Sequence, residues 1–232
     1  IKENLESTKK FNFLGGEPFA NKQHNQFIKE VCNSDTAKEI TLSYVSNGTL
    51  LTENIFNQLV KFKEVFIRLS LDAIGIPGEY FRFPIKWDVF KTKLELMQRF
   101  AVQNQHLDIG VQWTCSNVSM FYLVDTYDFI RTHYPDIKFL FCNHVEWPEH
   151  MSAQTLPTEL KLQVAERIST YNFGIDAEYV PFYINHMLEK DKWATHGNTF
   201  MNYLDDLDSA RNISWNYSFK EMELEKHDPR VT

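Results

Sequence analysis

The sequence predicts an α/β fold with a parallel sheet, and three observations lead there. Short apolar runs with strand character alternate with amphipathic helical stretches five times along the chain. The connections are of ordinary length, so each strand–helix–strand passage reads as a right-handed crossover. Every strand-like run also ends in small or polar residues, and ligands of such sheets gather at the carboxyl ends of the strands.

The elements follow in order. Phe11 to Leu14 reads as a buried strand, stopped by Gly15-Gly16-Glu17-Pro18. Gln23 to Cys32 is a helix with Phe27, Ile28 and Val31 at helical spacing. Glu39 to Val45 is the second strand, ended by Asn47-Gly48, and Thr52 then caps a helix whose inner face carries Ile55, Phe56, Leu59 and Val60. Val65 to Leu71 is the third strand, followed by a loop with Gly75, Pro77 and Gly78 and by a long helix from about Asp88 to Ala101. Leu107 to Thr114 is strand four, Met120 to His133 a helix, and Ile137 to Cys142 strand five. Leu156-Pro157 opens another helix, with the proline in its first turn. Beyond Tyr171 the rhythm fades, leaving helices at Tyr179 to Met187 and Thr199 to Leu207 and an aromatic-rich, irregular end. These readings divide the chain into a barrel-like part, residues 1–172, and a mostly helical extension, residues 173–232, packed on it.

Composition narrows the function classes. A chain of 232 residues, 43% hydrophobic and with 19 phenylalanines, can fill one large core. A formal charge of −7 argues against a general nucleic-acid surface, which needs a basic face. No apolar run approaches the ~18 residues of a membrane span, and the opening IKENLESTKK does not read as an export signal. Cys32, Cys115 and Cys142 are unevenly spaced and make no disulfide framework. The four sequons at Asn47, Asn117, Asn212 and Asn216 then read as chance, and the expected compartment is the cytoplasm.

The candidate site residues sit at the strand ends. Gly15 and Gly16 lack a Cβ and leave their peptide groups open to a ligand, Glu17 supplies an anion beside them, and Pro18 fixes the chain before the helix; a plain flexible turn is the competing reading. Ser46 and Asn47 occupy the second tip, VSNGT. Ser70 and Asp72 alternate with Leu69 and Leu71 and so share a strand face. Asp72 suits sugar hydroxyls or the start of a turn, and Ser70 a carboxylate or ammonium. Arg82 suits a paired bond to a carboxylate or a place on the surface, and Asn117 a polar ligand group or ordinary turn chemistry. Cys142, His144 and Glu146 alternate at the end of strand five, but three ligands on one strand rarely converge, so no metal site is expected there. The late aromatics Trp193, Phe200, Tyr203, Trp215, Tyr217 and Phe219 read as packing in preference to a pocket. No residue is assigned a catalytic role.

Taken together, FLGGEP, VSNGT and RLSLDA, in this order and spacing, resemble the radical S-adenosylmethionine enzymes. The closer resemblance is to phage-type members that carry a twitch domain. It is carried by Glu79 to Asp88 (EYFRFPIKWD), Thr114-Cys115-Ser116-Asn117, LPTELK at Leu156 to Lys161, and Leu207 to Arg211. The resemblance implies a partial (β/α)6 TIM-like barrel, here lacking its first strand. It implies that Gly15, Gly16, Glu17 and Pro18 hold the methionyl ammonium of S-adenosylmethionine. Ser70, Asp72 and Arg82 become candidates for its carboxylate and ribose. The reaction it implies is reductive cleavage to a 5′-deoxyadenosyl radical that takes hydrogen from a substrate the sequence does not identify.

One departure is large. The three-cysteine loop that ligates a [4Fe–4S] cluster in the family has no counterpart in this sequence. The expectation is therefore an N-terminally shortened chain that is inert alone, with the cluster present only in a full-length protein; a naturally cluster-free relative is the other reading. The first visible strand would then be an exposed sheet edge, to be covered by a second copy of the chain, by its own tail, or by nothing in a poorly stable fragment. The alternatives are a non-catalytic barrel that binds a nucleoside-like ligand or a protein partner, and a metal-dependent hydrolase built on the Cys142-His144-Glu146 stretch.

Overall fold

A computed structural model of the chain describes residues 9–231. The opening IKENLEST, included above in the barrel and in the judgement on export, lies outside the described residues. Five parallel strands form one sheet: β1 (Lys10–Phe13), β2 (Thr41–Ser46), β3 (Glu64–Leu71), β4 (Leu107–Cys115) and β5 (Lys138–His144). Their order in the sheet is their order in the chain. The register pairs Phe13 with Tyr44 and Tyr44 with Ile67. The helices between them are α1 (Lys22–Val31), α2 (Glu53–Leu59), α3 (Gly75–Phe81), α4 (Trp87–Gln103), α5 (Asn117–Phe121) and α6 (Leu123–His133). After β5 come α7 (Thr158–Thr170), α8 (Val180–Glu189), α9 (Trp193–Arg211) and the short α10 (Trp215–Ser218). Among the described residues no helix is long and apolar enough to cross a membrane.

The chain divides into two compact units, interleaved in sequence, where the sequence suggested a single boundary at residue 172. The first runs up to Leu71 and adds Ile85–Gln112 and Ile130–Leu140. The second comprises Asp72–Pro84, Trp113–Phe129 and the chain from Phe141 onward.

In the first unit, burial along the strands alternates. Val65, Ile67, Leu69 and Leu71 of β3 are buried, whereas Phe66, Arg68 and Ser70 between them are half-open. In β4, Leu107, Ile109 and Val111 are buried while Asp108 and Gln112 are not. A parallel sheet covered on both faces reads as a continuous apolar run. This one has a closed apolar face and a second, polar face that water reaches. The closed face receives Ile28 and Val31 from α1, Phe56 and Leu59 from α2, and Phe90, Leu94, Met97 and Phe100 from α4. Phe56 and Phe100 stack at 4.7 Å. Each such side chain contributes roughly 1.5–3 kcal/mol when fully withdrawn from water. Thr52 caps α2 as the sequence indicated, its hydroxyl accepting the Ile55 N–H at 3.3 Å.

The second unit is built around Trp113, which is fully buried and meets Phe141 and Tyr183 edge-on at 5.7 and 5.4 Å. Two elements differ from expectation here. The Gly75–Gly78 loop is instead the first turn of α3, where Pro77 occupies a position whose N–H has no helical partner anyway. Gly78 is required because a Cβ would stand 2.2 Å from the Ala73 carbonyl oxygen. The expected helix at Met120 starts earlier and breaks at Tyr122. Ser116 and Ser119 form a reciprocal capping box that opens α5 at Asn117. Pro157 is the residue preceding α7 instead of lying within its first turn.

Candidate functional site

Of the predicted tips, that of β1 keeps the most open backbone. Gly15 and Gly16 are exposed, with φ of +82° and +57°, and a Cβ built on either meets nothing within 4 Å. Conformation, not crowding, requires glycine at both positions. Pro18 is buried and starts a 3-10 turn that Glu17 caps.

The Glu17 carboxylate is held by three donors. Oε1 accepts the Phe19 N–H at 3.2 Å, Oε2 the Asn47 N–H at 2.8 Å, and the Ser46 hydroxyl lies 2.9 and 3.0 Å from the two oxygens. The parallel register makes this possible by setting the tips of β1 and β2 side by side. The Ser46 hydroxyl also accepts the Gly48 N–H at 2.9 Å, and the Asn47 side chain closes its own turn onto Thr49. With about four lone-pair sites and three donors, the half-buried carboxylate retains one acceptor position. Beneath it, burial lowers the pKa of His24, opposed by Asn25 and by the Glu17 charge, and His24 Nε2 lies 3.2 Å from the Tyr44 hydroxyl.

Ser70 ends the half-open face of β3, two residues beyond Arg68. The Arg68 guanidinium donates to Asp108 Oδ1 at 2.7 Å, and Lys138 Nζ lies 2.6 Å from Oδ2. Burial pushes the Asp108 carboxyl up, but bonds from Lys138 and Arg68 outweigh it and hold the pKa below its ordinary value. This charged triad was missed in the sequence. Alternation alone would have placed Arg68 on the face of Ser70, but finding Asp108 and Lys138 needs the neighbouring strands.

In the second unit the predicted polar groups serve their own chain. Arg82 Nε is buried 2.8 Å from Asp72 Oδ2, an ion pair whose N–H is not aligned as a hydrogen bond. Asn117 is 0% exposed; its oxygen accepts the Val118 N–H and its amide donates to the His150 carbonyl at 3.0 Å. The Cys142 carbonyl accepts the Tyr183 hydroxyl at 2.5 Å. His144 lies ring to ring with His186, centroids 3.6 Å apart and planes within 13°. In stacked rings the in-plane lone pairs run side by side and do not converge on one ion. Among the described residues no group of three or more His, Cys, Asp or Glu is arranged to hold a metal.

The thiols do not fit a [4Fe–4S] cluster, which takes several thiolates at one point. Cys32 belongs to the first unit and Cys115 and Cys142 to the second, so neither unit offers three. Burial also raises the Cys115 thiol pKa well above its ordinary value. No family model matches this chain, and no curated protein sequence does.

Proposed function

We propose that the first unit binds S-adenosylmethionine through its amino-acid end, at the β1 tip, on a partial (β/α)6 barrel. The observation that carries this reading is the Glu17 carboxylate. It is locked by Ser46, Asn47 and Phe19, keeps one acceptor position, and stands beside two exposed glycines of positive φ. A fixed anion next to open peptide groups suits an ammonium ligand, because the ordering cost is met before binding. The sheet supports the reading as well. Five strands in chain order with one polar, half-open face are what a barrel wall presents to its lumen. Ser70 is the nearest polar group of that face to the end of β3.

The proposal covers binding and no cleavage step. The described cysteines do not fit the cluster from which the implied chemistry takes its electron, so no residue is given a role in that chemistry.

A second reading, a non-catalytic barrel for a nucleoside-like ligand, is favoured by the same carboxylate, since three of its acceptor positions are already filled. Calorimetric titration of the full chain separates the two. With S-adenosylmethionine as titrant, Glu17→Gln is expected to weaken binding about tenfold or more, the loss of a charge-assisted bond, while adenosine binds poorly to both proteins. Equal affinity of Glu17→Gln and the parent chain, or no saturable heat at all, would sink the proposal; tight adenosine binding would select the second reading.

A further inference from the structure

The second unit carries a cavity of about 460 Å³ that lies outside the site proposed above. That volume falls in the range of about 300–1,000 Å³ typical of small-molecule pockets. It is formed by the start of α3, the break between α5 and α6, Arg167 of α7, and α10 with the residues just after it. Its apolar lining comes from Ile74, Ile76, Phe121 and Tyr217.

Tyr217 is not an incidental surface residue. Both of its neighbours two positions away are anchored. The Trp215 indole N–H donates to Asp205 at 2.8 Å. Phe219 stacks on Phe81 at 5.3 Å and meets Tyr80 edge-on at 4.7 Å. Residues 215 and 219 are buried, and Tyr217 between them is 65% exposed. The backbone that carries this exposed ring is therefore fixed, and a tyrosine has few side-chain torsions to order on binding. Ile76, 44% exposed, presents a second apolar surface to the same space.

The cavity has four charged residues: Arg167 pairs with Asp125 at 2.5 Å, and Glu221 keeps its negative charge but is turned to the Tyr122 hydroxyl at 2.9 Å. Among the described residues the fourth, the Lys220 ammonium, has no carboxylate within 4 Å. An apolar slot with an aromatic wall and a lysine that no carboxylate pairs suits a flat apolar molecule whose acidic group sits on the lysine side, away from Glu221. We propose that this cavity is a binding site for a small aromatic anion, with Tyr217 as its stacking wall and Lys220 as its charge partner.

The test uses the full chain and two fluorescent probes: 8-anilinonaphthalene-1-sulfonate, and N-phenyl-1-naphthylamine, which lacks the sulfonate. Saturable binding of the sulfonate at one site is expected. Tyr217→Ala should weaken both probes by about fivefold, the loss of an aromatic contact and its area. Lys220→Gln should weaken the sulfonate by about threefold, as a rim charge does, and leave the amine unchanged. Tyr179→Ala, which removes a different exposed tyrosine, is the control and should alter neither. Circular dichroism confirms that each variant is folded. Absence of saturable binding, equal effects of Tyr217→Ala and Tyr179→Ala, or equal loss of both probes in Lys220→Gln would overturn the assignment.

Discussion

Acid should loosen the contact between β5 and α8, because it is made by two histidines whose buried ring nitrogens have no acceptor for an added proton. Both ring nitrogens of His144 and Nε2 of His186 are buried without a hydrogen-bond partner. Burial first, and then the neighbouring His186, lower the His144 pKa from 6.5 to about 4, with Glu146 opposing. Burial lowers His186 as well, helped by Lys192 and Lys190 and opposed by Glu146 and Glu189. The folded state thus binds these protons more weakly than the unfolded chain. Stability is full above pH 6.5 and falls as pH drops from 6.5 towards 4. At about 1.4 kcal/mol per pH unit, the His144 change corresponds to about 3 kcal/mol. The residue as a whole is only half-buried, so water screens part of the charge and about 1–2 kcal/mol is the expected loss.

The replacement to compare is His144→Phe, which keeps a ring on His186 and removes the titrating group. Thermal unfolding of the parent chain at pH 7 and pH 4.5 should show a larger acid shift than the variant. For a chain of this size the difference should be about 2–8 °C. Carboxylates that titrate in the same window are common to both proteins and cancel. Ring NMR of the parent chain should place the His144 titration well below 6. Equal acid shifts in the two proteins, or a His144 that titrates at its ordinary value, would refute the reasoning.

Other substitutions follow from packing. At Gly48, φ is +78° and a Cβ would stand 2.3 Å from the buried Leu69 Cδ1, so Gly48→Ala should cost about 2–3 kcal/mol in urea unfolding. Lys161 is buried with its ammonium donating to the Lys190 carbonyl at 2.8 Å and 3.6 Å from Asp191, and burial lowers its pKa. Lys161→Met should therefore change stability by less than about 1 kcal/mol, while Lys161→Ala, which leaves a void, should cost about 2–3 kcal/mol. Anaerobic treatment of the full chain with iron and sulfide should produce no sulfur-to-iron charge-transfer absorption, because neither unit offers three thiols; a stable absorption of that kind would overturn the fit argument.

Five strands and the longer helices between them were legible because their signals are local. The Thr52 cap, Phe56 and Leu59 at helical spacing, and the alternation from Val65 to Leu71 all lie within one element. The α3 helix was not legible. Its glycines and proline argue for a loop, and what holds it comes from far along the chain. The Tyr80 hydroxyl bonds to the Leu204 carbonyl and to Asp208 Oδ1, and the Arg211 guanidinium donates to the Tyr80 carbonyl. In the same way Trp215 and Phe219 were rightly read as packing, whereas Tyr217 between them lines a cavity.

From its residues alone the chain announces an alternating parallel architecture, the glycine turn after the first strand, and an acidic net charge. Periodicity and backbone preference act over a few residues, and those properties need nothing more. Tertiary structure decided how the polar groups are used. The Glu17 carboxylate is met by Ser46 and Asn47 only because β1 and β2 run side by side in a given register. Asp72 and Arg82 neutralise each other, and Asn117 is sealed inside. Whether a polar side chain is offered to a ligand or consumed by its own fold depends on partners tens of residues away, and only folding brings them within bonding distance.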